Sequence, residues 1–259
     1  MENIIGPFSY IFIVSLIRYF LIAGIPFILF YYAFKYKMET YKIQKKIIKK
    51  KDIIREIIHS TQTTFIFTII ASVLLYSPIN KYTLVYKNID NFPYWWIGIS
   101  LILSLIIHDT YFYWMHRLLH HKKIYKYTHV VHHKSINPSP FTSYSFHILE
   151  AIPEGLILFV LAFILPMHQI TIVLFTIIGF IINVYGHLGY EIAPKRLRNS
   201  FIFKIINTSV HHNLHHSQFN GNYGLYFRFW DRIMKTENPE YVKHFDMLIE
   251  KREIRQIKD

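Results

Sequence analysis

The stretch WWIGISLILSLIIHDTYFYWMHRLLHH, from Trp95 to His121, opens as an apolar run and closes as a stripe of aromatic, acidic and histidine side chains. An α-helix through Asp109, Tyr113, His116 and His120 places all four on one side, because steps of three and four residues stack along a helix face. One segment therefore enters a membrane and leaves it carrying metal-type ligands. Outward from it, the chain repeats both signals.

Apolar runs cover residues 8–34, 57–77, 92–114 and 152–186. A hydrocarbon core of ~30 Å asks for about 20 apolar residues per helix, so each of the first three is a membrane segment. The fourth is too long for one crossing and is split by Pro166, which reads as a hairpin. With 52% hydrophobic and 18% aromatic residues, the composition is that of a polytopic membrane protein rather than a soluble bundle. The whole chain, 1–259, reads as a single membrane domain.

Between Lys35 and Arg55 stand nine Lys or Arg against two acids. The positive-inside rule sets this loop in the cytoplasm. Counting crossings from it returns the chain to the cytoplasm at His116, and the hairpin then keeps every histidine cluster on that side. Basic residues beside membrane segments explain the net charge of +13 without nucleic acid. With no cysteine in the chain, disulfides and thiolate-ligated metal or iron–sulfur sites are excluded. The compartment is either a bacterial inner membrane or the endoplasmic reticulum membrane.

Fourteen of the sixteen histidines fall between His108 and His216. Three clusters hold most of them: His116, His120 and His121; His129, His132 and His133; His211, His212, His215 and His216. In the second, and again in His212, His215 and His216, the spacing is i, i+3, i+4, which aims two rings at one metal and a third at a neighbour. With His187 there are eleven candidates, more than the four ligands of a single zinc, so a two-metal centre is expected. Imidazole suits zinc, copper and iron. His121 is an alternative to His120, and His211 a second-layer donor. Asp109 is the expected carboxylate partner for a ligating ring, and His147 is substrate-facing or structural. His59, His108, His168 and His244 lack partners at metal spacing and read as interfacial or solvated.

The series HDTYFYWMHRLLHH, YKYTHVVHHKS, NPSPFTSYSFHILEA, NVYGHLGYE and HHNLHHSQFNGNYGLYFRFWDR, over residues 95–235, resembles the fatty acid hydroxylase/sterol desaturase superfamily. The third element and the NYGLYFRFWDR ending look closest to its sterol C-5 desaturase branch. The resemblance implies an all-α integral membrane enzyme, with about four transmembrane helices or hairpin segments under a cytoplasmic helical cap. It implies two iron ions held by His116, His120, His129, His132, His133, His212, His215 and His216, with His187 as an additional ligand; Asn183 and Glu191, four residues to either side of His187, leave a further ligand from that segment in doubt. Dioxygen is then the co-substrate, and a lipid is desaturated or hydroxylated, a sterol first. The alternative substrates are fatty acyl, ether-lipid or carotenoid chains. Tyr113, Trp114, Phe141 and Tyr144 are expected to wall the substrate. No glycine-rich dinucleotide fingerprint is present, so electrons are expected from a cytochrome b5-type or ferredoxin-type donor. A membrane metal transporter is the remote alternative, but transporters hold their ions near the midplane, whereas these clusters lie at the membrane ends. A metallohydrolase would need the Glu of His-Glu-x-x-His, which is missing.

Overall fold

The apolar runs fold as expected into long helices, shown by a computed structural model that describes residues 5–258. The chain order is α1 (Ile5–Ile28), α2 (Lys50–Tyr76), α3 (Trp95–Leu119), α4 (Val130–His133), α5 (Ile148–Ile164), α6 (Gln169–Gly186), α7 (Lys195–Arg198), α8 (Ser209–Gln218), α9 (Phe229–Ile233) and α10 (Tyr241–Lys258). Four helices, Ile5–Ala33, Lys50–Tyr76, Trp95–Leu119 and Gln169–Gly186, are long and apolar enough to cross a membrane. This is an integral membrane protein. Ile13, Ile17, Ile102, Ile106, Val173 and Ile181 stand exposed on them, as side chains facing lipid do.

The fourth run is a hairpin. Helix α5 ends at Leu165, and α6 begins after the two-residue strand β2 (Met167–His168), which pairs in parallel with β1 (Val85–Tyr86). Pro166 supplies the break, and its carbonyl accepts a 2.9 Å hydrogen bond from Trp96 Nε1 at the start of α3. His168 is buried there, capping α6 through Ile170 N–H and bonding Lys87 O, rather than lying in solvent.

Inside the bundle, packing is aromatic at one side and small at another. Tyr19, Phe27, Phe141 and Phe180 tie α1 and α6 to the 140–144 turn. Where α2 meets α5, Gly155 has no side chain, and a Cβ there would sit 2.5 Å from Ile70 Cδ1. The buried hydroxyls of Thr64 and Thr68 on α2 fold back on their own helix, to Ser60 O and Thr64 O, which satisfies them without a partner helix.

The C-terminal ends of α1, α3 and α6 and the N-terminal end of α2 lie together, and a cap of α4, α8 and α10 closes over them. The basic loop joins this same end: Gln44 Nε2 donates to Ile136 O and Asn213 Oδ1, and Ile43 N–H to Gly189 O. Glu56, buried near the start of α2, accepts from Ser135 Oγ at 2.7 Å and Ser139 Oγ at 2.5 Å. That carboxylate pins the 135–139 turn that follows the second histidine cluster.

Candidate metal centre

Nine histidines converge under the cap in two groups. His116, His120, His129, His133 and His215 form the first, and His132, His187, His212 and His216 the second; within each, the nitrogens lie within 4.8 Å of one another. The two His-x-x-His-His elements split reciprocally. His129 and His133, one turn apart on α4, join the first group while His132 turns to the second; His212 and His216 on α8 join the second while His215 turns to the first. Helix α3 supplies His116 and His120, and the C-terminal end of α6 supplies His187.

In the first group His116 Nε2 is 2.9 Å from His129 Nε2, and His133 Nε2 is 3.1 Å from both His129 and His120. In the second, His187 Nε2 is 3.0 Å from His212, 3.2 Å from His216 and 3.3 Å from His132. Two of these contacts are not hydrogen bonds. The Nδ1–H of His116 donates to Tyr223 O, of His187 to Asn183 O, of His215 to Gly221 O and of His216 to Ser135 O, while His129 Nδ1 faces Glu150 Oε1 at 2.6 Å. A neutral imidazole carries one proton, so with Nδ1 protonated the Nε2 atoms of His116 and His129, and of His187 and His216, meet lone pair to lone pair.

Protonation does not relieve this. Burial and the neighbouring rings push His129, His132, His133, His212 and His216 well below the ordinary imidazole value, burial first. Burial pushes His120 down to about 2, and His187 and His215 to about 4. Converging, unprotonated, buried nitrogens are a cation site. The spacing fits: at a metal–nitrogen distance of ~2.1 Å, adjacent ligands on one ion stand roughly 3.0–3.4 Å apart.

Around the rings, carboxylates act one step out. Glu150, fully buried at the start of α5, takes the orienting role expected of Asp109. Asp109 turns elsewhere: its Oδ1 accepts the backbone N–H of Leu225, Tyr226 and Phe227. Asp231 accepts Tyr223 N–H and Gly224 N–H, and burial raises its carboxyl above the usual range. The two aspartates thus fix the 221–228 loop, whose carbonyls at Gly221 and Tyr223 hold His215 and His116. Glu191 accepts Tyr185 Oη–H, Ala193 N–H and Val210 N–H and so sets the start of α8; it is not among the converging ligands.

Three further expectations are corrected, and His147 takes the structural one of its two readings. His121 is exposed beyond the end of α3, because that helix stops at Leu119, so His120 is the ring that turns inward. His211 is buried against Tyr241, centroids 5.0 Å apart, with neither ring nitrogen bonded; it sits on the cap side of α8, away from both groups. His147 caps α5, accepting Leu149 N–H. His108 faces the interior, bonded through Nδ1 to Tyr226 Oη at 2.9 Å.

An apolar cavity of about 430 Å³ runs down from this centre between α1, α2, α3, α5 and α6. Of the four expected wall residues only Tyr144 lines it. Tyr113 is buried on the other side of α3, bonded to Thr236 Oγ1 and stacked on Trp230; Trp114 is exposed; Phe141 packs on Tyr19 and Phe27. Phe112 and Phe146 form the inner end instead. Phe112 lies 4.9 Å from the His116 ring and Phe146 5.1 Å from the His132 ring, so the cavity abuts both groups. Helix phase separates Phe112 from Tyr113, and nothing in composition distinguishes them.

The model of the family described as fatty acid hydroxylase matches residues 101–236. The chain is 33% identical to human lathosterol oxidase over 186 residues, 71% of this chain and 60% of that protein. It is 32% identical to a Delta(7)-sterol 5(6)-desaturase of Aspergillus fumigatus over 228 residues, 87% of this chain and 60% of the relative. A second such desaturase, from Gibberella zeae, is 35% identical over 153 residues, 59% of this chain and 46% of that protein. The chain thus spans about 60% of the length of the first of these relatives. No solved structure matches it. With its family-specific segment carrying all nine converging histidines, the chain belongs to the fatty acid hydroxylase family.

Proposed function

We propose that this chain is a membrane-bound di-iron oxidoreductase that uses dioxygen and two electrons to introduce a double bond into a lipid, a sterol before any other class. The observation that carries the reading is the contact of one apolar cavity, through Phe112 and Phe146, with two groups of converging neutral imidazoles. The names of the relatives, lathosterol oxidase and Delta(7)-sterol 5(6)-desaturase, support the sterol.

The ligands are His116, His120, His129, His133 and His215 for one ion and His132, His187, His212 and His216 for the other. When bound, the ions supply the activation of dioxygen that side chains alone do not perform. The chain's own residues orient and shield. Backbone carbonyls of Tyr223, Asn183, Gly221 and Ser135 and the Glu150 carboxylate fix which ring nitrogen is free. Two divalent ions in a histidine-only shell leave positive charge uncompensated; Glu150 sits close enough to offset part of it. Phe112 and Phe146 keep water from the centre and hold the lipid's apolar body against it.

Positive-inside charge puts the histidine end in the cytoplasm. Electrons then arrive from an acidic cytochrome b5-type or ferredoxin-type carrier, attracted by the basic 35–55 loop at that end.

The test is the iron and zinc content of detergent-purified protein, together with lipid analysis of cells expressing the chain or its His132→Ala variant. Two irons per chain and a new sterol double bond, both lost in the variant, are expected. A hydroxylated acyl chain would move the reading to a fatty acyl hydroxylase. Freely exchanging zinc with unchanged lipids would replace oxidation by transport or hydrolysis.

A further inference from the structure

The cavity is mostly apolar; besides Arg18, which bonds Thr176 Oγ1 between α1 and α6, and the side chains of Ser15 and Asn183, a polar level lies at α5. There Glu154 lines it, 8% exposed, with no hydrogen-bond partner among the described residues. An unsatisfied buried carboxyl costs free energy unless something else bonds it. Every other carboxylate close to the centre is occupied: Glu150 by His129, Glu191 by Tyr185 and two backbone N–H groups, Asp109 by three N–H groups. Glu154 is the exception, and it lines the cavity whose inner end is formed by Phe112 and Phe146.

Its setting is specific. Glu154 follows Glu150 by one turn of α5, a rise of about 6 Å, on the membrane side of the centre. Opposite it the His108–Tyr226 pair also lines the cavity, and Tyr226 Oη is held against α6 where Gly179 leaves room; a Cβ there would lie 2.5 Å from that oxygen. An aliphatic residue at position 154 would pack this wall equally well. A hydroxyl-bearing guest, in contrast, gains a donor–acceptor partner on a wall that is otherwise mostly apolar.

We propose that Glu154, backed by the His108–Tyr226 pair, is a specificity-determining anchor for an alcohol group of the lipid, placed within a few bonds of the carbon presented to the histidine centre. In a sterol the ring hydroxyl is two carbons from the 5-position, so a hydroxyl held at Glu154 fixes that carbon near the same level of the cavity. An acyl chain offers no hydroxyl at that depth. This inference rests on the lipid-oxidising reading for the role of the cavity, but its test does not need turnover.

The experiment is equilibrium binding to the detergent-purified full chain of two matched pairs: lathosterol with 5α-cholest-7-ene, which lacks the hydroxyl, and octadecan-1-ol with octadecane. Wild type is expected to prefer the hydroxylated member of the sterol pair by about tenfold or more, the range of a hydrogen bond to a charged or strongly polar group. In Glu154→Leu that ratio should fall to about one. Glu154→Gln, isosteric and still able to bond a hydroxyl, should lie between and keeps the test open if the Leu variant does not fold. A Leu variant, or failing that a Gln variant, with the wild-type ratio overturns the anchor. So does a wild type that discriminates in neither pair. Discrimination confined to the octadecyl pair, and lost in the variants, keeps the anchor but removes the sterol. Loss of oxidation with binding preferences as expected leaves the anchor standing and sinks the redox reading alone.

Discussion

Glu150 Oε1 lies 2.6 Å from His129 Nδ1, and both side chains are buried, 0% and 2% exposed. The pair crosses from α5 to the turn before α4 and is, among the described residues, the one place where a carboxylate touches a converging ring. The second oxygen of Glu150 has no partner, so among the described residues His129 is the one group this carboxyl bonds.

Glu150→Ala should therefore lower metal affinity about 10- to 100-fold, the usual effect of removing a carboxylate that orients a ligating histidine. Titration of chelator-treated protein with ferrous ion measures it. Unchanged affinity would show that the backbone packing of α4 alone orients the ring.

His132→Ala and His215→Ala remove one ring from different groups. Each should abolish oxidation and reduce bound metal, with the loss starting at one ion rather than both. His121→Ala and His59→Ala should change neither, since the first is exposed and the second stands on α2 outside both groups. Metal analysis of the four variants decides between the two-group arrangement and a single pooled site.

Asp109→Ala strips the acceptor from three backbone N–H groups in the loop that holds His116 and His215. Leaving buried donors unsatisfied costs ~1–3 kcal/mol each, so the variant should lose at least about 2 kcal/mol in a denaturant titration. Metal should weaken with it. A variant as stable as wild type would mean that water satisfies the loop.

Stability of the chelator-treated protein should fall as pH drops. The ordinary imidazole value is 6.5, and burial holds His187 and His215 at about 4 in the folded chain. Below 6.5 the unfolded chain takes up protons that the folded chain refuses, so unfolding is favoured progressively between about 6.5 and about 4. Thermal unfolding at pH 7.5 and pH 5 checks the sign. Saturating metal should flatten the dependence above the pH at which protons displace it.

The membrane helices were legible because hydrocarbon thickness acts on each segment separately, and Pro166 announced the hairpin for the same local reason. That each cluster would send rings to one metal and to a neighbouring one was legible from the helical repeat; that His129 pairs with His133 and His212 with His216 was not. Glu56 and Glu150 were missed, since their partners Ser135, Ser139 and His129 stand 79, 83 and 21 residues away in sequence, and only the folded contacts give them roles. Tyr113 and Phe112 are neighbours in sequence, yet one packs on the loop and the other on the cavity.

What the chain determined by itself is therefore short-range: where it is apolar enough to enter a bilayer, and which rings share a helix face. Tertiary structure alone decided how the clusters divide into five and four, that His120 reaches His215 across 95 residues, and which groups orient each ring. Those choices depend on contacts between segments far apart in sequence, where helix phase, loop carbonyls and buried carboxylates meet only after the bundle has packed.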